Sequence, residues 1–449
     1  MNVLKFGGTS VANAETWRKV VSIIKNQQPC AVVVSATAKT TNDLLSTAKL
    51  ARQDSIESAR EVAERIRQRH YDIIEELLPA SLDQQVHTDA IAWVDKHLKL
   101  LDNFLLGIHT LGELTPRSLD MISSLGERIS SYLIAQYARS EGVDMVHADA
   151  RDIIKTNSEF GRAIPNMAKT REASTVLRHH LDQGKSVIMG GFFGTDANGE
   201  ITTLGRGGSD YSAAILGMIL NSDAIEIWTD VSGMYTSDPR FVKGTRPIEE
   251  ITFDEAAELA YFGAKVLHPA TIQPAIEQNI PVYIKNTFEA DAPGTKIHSA
   301  AKLDGDVRAI AFKKDITIVT ISSSRMLLAY GFLARVFGIF EEYEIAVDLV
   351  STSEVSISMS VDKTVGLEPV LEKLGNIGDV SIRHGMSLVC VVGQQFLKST
   401  GIASRIFQRI NHIPIQLISQ GSSDINLSFV VENDHADEVV QELHDEFFD

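Results

Sequence analysis

The chain has 449 residues and carries 42 Lys+Arg against 59 Asp+Glu, a formal net charge of −17. That length allows two or three domains with real cores, and 44% apolar against 22% charged residues excludes wholesale disorder. The acidic balance, without a basic run, excludes a nucleic-acid-binding surface; no apolar stretch approaches the ~20 residues of a membrane span; and Cys30 and Cys390 are too few and too far apart for a disulfide framework or zinc cluster.

The first predicted element is a buried strand, Val3 to Phe6, with no basic or Ser-rich leader before it. Together with the two cysteines in apolar runs, this predicts a soluble cytoplasmic protein. The strand runs into Lys5-Phe6-Gly7-Gly8-Thr9-Ser10, where two glycines let the backbone approach a phosphate and a following helix points free N–H groups at it. Taken locally, Lys-x-Gly-Gly reads equally as a tight turn. The next apolar run, CAVVV, ends at Ser35, and the hydroxyls from Ser35 to Thr41 either cap a helix or hold a carboxylate. Ala59 to Leu78 reads as an amphipathic helix with Val62, Ile66, Ile73 and Leu77 on one stripe and Pro79 after its end.

Further along, Ser123-Ser-Leu-Gly-Glu127-Arg128 precedes an apolar helical stretch. Glu127 there is either a helix N-terminal carboxylate or a partner for an ammonium group. SVIMG, IEIW and PVYI, ending before Gly191, Thr229 and Asn286, are again near-continuously apolar. Such runs belong to strands buried on both faces, so the fold class is α/β with a mostly parallel sheet and ligands at its carboxyl ends. Between them, Leu204-Gly-Arg206-Gly-Gly-Ser209-Asp210 opens a helix. Arg206 can clamp a carboxylate, and Asp210 can bind a metal or orient a cation.

Composition changes at Asp291-Ala-Pro-Gly-Thr, a turn and expected boundary. Beyond it GFLARVF at 331–337 recurs as GIASRIF at 401–407, DLVS at 348–351 as QLIS at 416–419, and SEVSIS at 353–358 as SDINLS at 423–428. A duplicated α+β module follows from three blocks recurring in order.

KFGGTSVA, VVVSATAKTTN, SLGERIS, KTNSEFGRA, LGRGGSDYSAA, IWTDVSGMYTSDPR and FGAKVLHPAT together resemble the aspartate kinases in order and spacing. The duplicated region resembles their paired ACT regulatory modules, and GFLARVFGIF with VDLVSTSEVSIS resembles the lysine-sensitive monofunctional branch. The resemblance implies an amino-acid-kinase αβα sandwich over residues 1–292 and a regulatory region over 293–449. The first ACT module would span about 315–385, and the second about 386–449 with a strand from 301–314. No homoserine dehydrogenase half is expected. The implied reaction is ATP-dependent phosphorylation of L-aspartate to 4-phospho-L-aspartate, opening the aspartate-family pathway, with Mg2+ carried mainly by the ATP phosphates.

Carried over residue by residue, the resemblance assigns Lys5, Asp210 and Arg206 to catalysis, and Ser35, Thr41, Glu127, Arg206 and Ser209 to the aspartate pocket. It assigns Lys5, Gly7, Gly8, Thr229, Asp230, Tyr235, Arg240, Lys265 and Val266 to ATP. Asp210 either orients Lys5 or contacts a magnesium-bound water. For lysine as inhibitor, the acids Asp348 and Glu354, which become Gln416 and Asp424 in the second repeat, suit a cationic effector. The full effector set is Met326, Phe332, Leu333, Val347, Asp348, Ser353 and Glu354. Ala329, where lysine-sensitive relatives can carry a hydroxyl, departs from the pattern and leaves threonine as the alternative effector. A homodimer through the ACT modules is expected. A relative acting on glutamate or carbamate should lose the Glu127/Arg206 pair and the duplication, and a non-catalytic sensor should lose Lys5, Arg206 or Asp210.

Overall fold

A computed structural model describes all residues except 54, 263–266, 268, 302–306, 327–329, 363–364, 422 and 449. The chain divides into two compact units, one of residues 1–234 with 266–300 and the other of 235–265 with 301–449. The division is therefore not a single cut in sequence: residues 235–265 group with the later part of the chain. Hydrogen bonds explain this, because Ile310 donates its N–H to Thr236 O at 2.8 Å, and the Thr236 hydroxyl meets His444 Nε2 at 2.9 Å.

The first unit is built on β1 (Asn2–Phe6), β2 (Ala31–Val34), β3 (Met145–His147), β4 (Ser186–Gly190), the hairpin β5 (Phe193–Thr195) and β6 (Ile201–Thr203), and β7 (Ala224–Thr229). The main sheet runs β3-β4-β2-β1-β7, continues into Val282–Asn286, and then reaches Thr295–His298. From β3 to Val282–Asn286 all pairs are parallel. β1, β2 and β4 are buried along nearly their whole length, as near-continuous apolar runs require. The short β3 and the β5–β6 hairpin lie outside the sequence expectation, since three-residue strands carry too little periodicity to register.

Helices cover the sheet: α1 (Ala14–Asn26), α2 (Thr40–Arg52), α3 (Ile56–Leu77), α4 (Gln84–Leu111), α5 (Pro116–Ser123) and α6 (Leu125–Ser140) precede β3. In α3 the stripe Val62, Ile66, Ile73 and Leu77 is buried, as its spacing predicts. One core joins Leu4, Phe6 and Trp17 with Val32, Ile66, Leu101, Ile129 and Trp228.

In the second unit, six strands lie in the order Val350–Thr352, Ser356–Val361, Val307–Ser322, Asp379–Gly393, Asn426–Glu432 and Leu417–Gln420. The two long central strands serve both halves: Thr317 to Ser322 pair with 356–361, while Met386 to Val392 pair with 426–432. The repeated blocks become equivalent helices, Phe332–Glu342 and Ile402–Arg409, each opened by a left-handed glycine, Gly331 at φ 76° and Gly401 at φ 94°. Each half has its own apolar core. Cys30 and Cys390 are buried, and burial pushes their thiols up to about 11 and about 12, so neither is an available nucleophile near neutral pH. Among the described residues no helix is long and apolar enough to cross a membrane.

Candidate active site

Parallel order β4-β2-β1-β7 brings the carboxyl ends of four strands to one edge of the sheet. Gly7 and Gly8 follow β1, Ser35 follows β2, Gly191 and Phe192 follow β4, and Asp230 follows β7. The Gly7 N–H donates to Trp228 O at 3.1 Å, locking the glycine turn after β1 to the end of β7. Gly7 itself closes a turn, accepting from the N–H groups of Ser10 and Val11. The helix expected directly after it starts only at Ala14, with Asn13 and Thr16 forming a reciprocal cap. The helix start is therefore satisfied by Asn13 rather than left open for a phosphate.

A cavity of about 210 Å³ opens at this edge, lined by Lys5, Ser35, Thr41, Glu127, Phe192, Ser209 and Asp210 with Gly205, Gly207 and Gly208. Lys5 Nζ lies 2.7 Å from Asp210 Oδ1, a charge contact rather than an aligned hydrogen bond. Of the two options for Asp210, the structure thus displays the pairing with Lys5. Ser209 and Asp210 stand in the first turn of the helix Gly208–Leu220, which does open directly from its glycine loop. The Ser35 hydroxyl donates to Ser209 Oγ at 3.2 Å, joining the β2 and glycine-loop sides of the cavity.

Glu127, in the first turn of α6, is only 4% exposed. Burial pushes its carboxyl up to about 8, opposed by the polar Ala36 and Glu127 N–H groups and the Thr41 hydroxyl nearby. Its Oε2 has no hydrogen-bond partner among the described residues. A helix-terminal carboxylate serving only the dipole would sit in solvent, whereas this one is buried with an unpartnered oxygen at the cavity. The hydroxyl-capping reading of 35–41 is corrected here: α2 is preceded by Lys39 in the left-handed region at φ 50°, with no side-chain cap.

Two features of the cavity go beyond what the local sequence signals. Phe192 lines the cavity with φ at 80°, a strained value for a non-glycine residue. Its N–H donates to Ser212 Oγ at 2.9 Å, and its carbonyl accepts from the Leu204 N–H at 2.8 Å, which holds the strain in place. Gly191 is required by close approach, since a Cβ there would fall 2.8 Å from Ser209 Cα and 2.7 Å from Val33 Cγ1. Gly191→Ala should therefore destabilise the fold by ~1–3 kcal/mol, the usual range for overpacking. Displacement of Ser209 should depress activity further, and a thermal melt run beside a kinase assay measures both.

The remaining candidates are less gathered. Arg206 lies between two lining glycines, but its side chain is exposed and does not line the cavity. Thr229 ends β7, the neighbour of β1, and Asp230 follows it, with the Thr229 hydroxyl donating to Asp230 Oδ1 at 3.1 Å. Tyr235 and Arg240 belong to the second unit, where Arg240 pairs with Asp238 at 2.6 Å. Lys265 and Val266 lie outside the described residues.

The model of the amino acid kinase family matches residues 1–286, and that of an ACT domain matches 389–447. Lysine-sensitive aspartokinase 3 of Escherichia coli K12 is 36% identical, over 100% of this chain and 99% of its own. The chain belongs to the aspartokinase family. Aspartokinase 1, chloroplastic, of Arabidopsis thaliana is 37% identical over 100% of this chain and 80% of its own. Among solved structures, E. coli aspartokinase III in complex with aspartate and ADP, described as the R-state, superposes with a TM-score of 0.84 at 35% identity, covering 100% of both chains. The same enzyme with lysine and aspartate, the T-state, has a TM-score of 0.84 at 36% identity over 100% of both chains. The chain is thus an aspartate kinase, with an amino-acid-kinase fold and a C-terminal ACT domain.

In this aspartokinase the expected effector residues lie in the first half of the regulatory sheet. Phe332 is buried in its core, with Met326 and Val347 packed against that same cluster. Leu333 is exposed, and Ser353 and Glu354 sit in the turn between Val350–Thr352 and Ser356–Val361. Asp348 accepts from the Tyr261 hydroxyl. Burial, with the neighbouring Asp362 carboxyl, pushes Asp348 up to about 6. Phe332 is core rather than a free wall for an aliphatic ligand. Ala329 lies outside the described residues.

Proposed function

We propose that the enzyme transfers the γ-phosphoryl group of ATP to the β-carboxylate of L-aspartate, giving 4-phospho-L-aspartate and ADP, as the first step of aspartate-family amino-acid synthesis. The observation that carries this reading is one cavity uniting the Lys5–Asp210 pair with buried Glu127, whose Oε2 has no hydrogen-bond partner among the described residues. The E. coli relative solved with aspartate and ADP supports it.

Aspartate's β-carboxylate has an intrinsic pKa of ~3.9 and is ionised at neutral pH, so no general base is needed. What the reaction needs is in-line placement of two anions and a positive field between them. Lys5 supplies that charge at the end of β1, with Asp210 holding the ammonium in place. Gly7, Gly8, Thr229 and Asp230, on adjacent strand ends, serve the nucleotide, joined by Tyr235, Arg240, Lys265 and Val266 from the family pattern. Ser35, Thr41 and Ser209 take aspartate, with its α-ammonium on Glu127 and its α-carboxylate on Arg206. Neither cavity carboxylate is free for a divalent ion, because Asp210 is paired and ionisation of Glu127 is opposed by burial. That fits Mg2+ arriving on the ATP phosphates, where it neutralises charge.

Residues 1–292 form the catalytic region in this reading, and 293–449 a pair of ACT modules that mediate a homodimer in the cytoplasm. The effector is lysine rather than threonine, supported by the relative solved with lysine and aspartate and by Asp348 in the first module. Lysine inhibits only as far as it binds the inactive state more tightly. Trapping acyl phosphate with hydroxylamine should give product from aspartate but not glutamate, with cooperative inhibition by lysine. Asp348→Ala should stay active and lose at least ~10-fold in lysine sensitivity, the scale of one charge-assisted contact. Inhibition by threonine alone would reassign the effector, and product from glutamate would reassign the substrate.

A further inference from the structure

The segment from Ser35 to Thr41, a loop running into the first residues of α2, supplies three polar groups to the cavity region: the Ser35 hydroxyl, the Ala36 N–H and the Thr41 hydroxyl. Within it the Thr40 N–H donates to Thr37 O at 3.1 Å and the Thr40 hydroxyl to Ala38 O at 3.3 Å. Lys39 adopts φ 50°, and the helix that follows begins without a side-chain cap. A non-glycine residue in the left-handed region persists only when its surroundings enforce it.

A further group that holds the segment comes from α3, well separated along the chain. Arg69 Nη1 donates to Ala38 O at 3.1 Å and to Thr40 Oγ1 at 3.0 Å, on either side of Lys39. Its Nη2 donates to Asp43 Oδ2 at 2.9 Å, in the first turn of α2. One planar guanidinium thus spans the strained residue and the helix start, which a single ammonium cannot do. The bonds are part-buried, the Arg69 and Asp43 side chains each being 29% exposed, so solvent weakens but does not abolish them.

Resting on the reading of Ser35, Thr41 and Glu127 as the aspartate pocket, we propose that Arg69 is its positioning residue, clipping the Ser35–Thr41 loop so that Thr41 and the Ala36 N–H meet Glu127. Arg69 touches neither the cavity nor a reacting group. Its removal frees the loop to leave the left-handed geometry, which moves Thr41 away from Glu127 while the glycine turns that face the nucleotide stay as they are. A displacement of ~1 Å in a positioning group is enough to change rate or affinity by an order of magnitude or more.

The test is steady-state kinetics of Arg69→Ala and Arg69→Lys in the full-length enzyme, with Thr41→Ala as reference. Arg69→Ala should raise the aspartate KM about tenfold, within the range for a misplaced binding group. The ATP KM should stay within about twofold, and Arg69→Lys should fall between wild type and Ala, since one donor of the fork survives. A lowered melting temperature with unchanged aspartate KM, or equal rises in both KM values, would mean a purely structural role and overturn the proposal. If Thr41→Ala leaves aspartate KM untouched, the pocket reading fails, whatever Arg69 does.

Discussion

Lys5→Met should lower turnover by at least ~10²-fold, the scale of deleting one preorganised electrostatic contact in a water-poor site. Methionine keeps the volume of the stem at a position only 9% exposed, so the strand and its packing should survive. The charge would not. Lys5 faces Asp210 at 2.7 Å, and its loss leaves that carboxylate without its partner at the proposed place of phosphoryl transfer. The effect therefore combines a missing cation with an uncompensated anion, and the two can be separated. Lys5→Met with Asp210→Asn should recover part of the loss through the coupling between neighbouring groups. Turnover by coupled ADP release and folding by circular dichroism are the measurements, and near-normal activity in a folded Lys5→Met enzyme would remove Lys5 from the mechanism.

Glu127→Gln should have two effects of opposite sign. Burial holds the carboxyl at about 8 against an ordinary 4.5, so between those values the folded chain keeps a proton that the unfolded chain has released. Wild-type stability consequently falls as pH rises through that window, because the native state binds more protons there. Glutamine carries no such proton. The variant should match wild type near pH 4.5 and melt higher at pH 8, by a few kcal/mol, since each tenfold difference in proton affinity between folded and unfolded chains is worth ~1.4 kcal/mol. Aspartate use should move the other way, since the substrate ammonium needs the ionised form. In wild type, binding at pH 7 should release close to one proton, seen as a buffer-dependent heat in calorimetry, and the aspartate KM should rise as pH falls below about 8. The variant should release none and lose ~1.5–3 kcal/mol of aspartate binding, the worth of a charge-assisted hydrogen bond. A stabilised variant with unchanged aspartate KM would leave Glu127 as a buried acid without a substrate.

Much of the fold and site is legible in the residues alone, because the deciding signals are local. A buried parallel strand announces itself by consecutive Val, Ile and Leu, and a glycine turn after it by adjacent glycines, as at Phe6-Gly7-Gly8 and Val34-Ser35. The α3 stripe likewise follows from spacing alone. Residue patterns also make the regulatory repeat visible, since its helices and strands recur in order.

What the amino-acid sequence determined by itself was the buried core strands, the α3 stripe, the glycine-rich turns and the family they belong to. Tertiary structure decided which turns share a cavity, through the strand order β4-β2-β1-β7, and which residues support them from a distance. Gly191 against Ser209, Arg69 against Ala38 and Thr40, and Tyr261 against Asp348 are contacts between residues well separated in the chain. The same holds for residues 235–265, whose hydrogen bonds to Ile310 and His444 place them with the later unit. The physical reason is one of range. Hydrophobic period and turn chemistry act over a few residues, whereas desolvation of Glu127 and strain at Phe192 arise only when the fold brings distant segments together and excludes water between them.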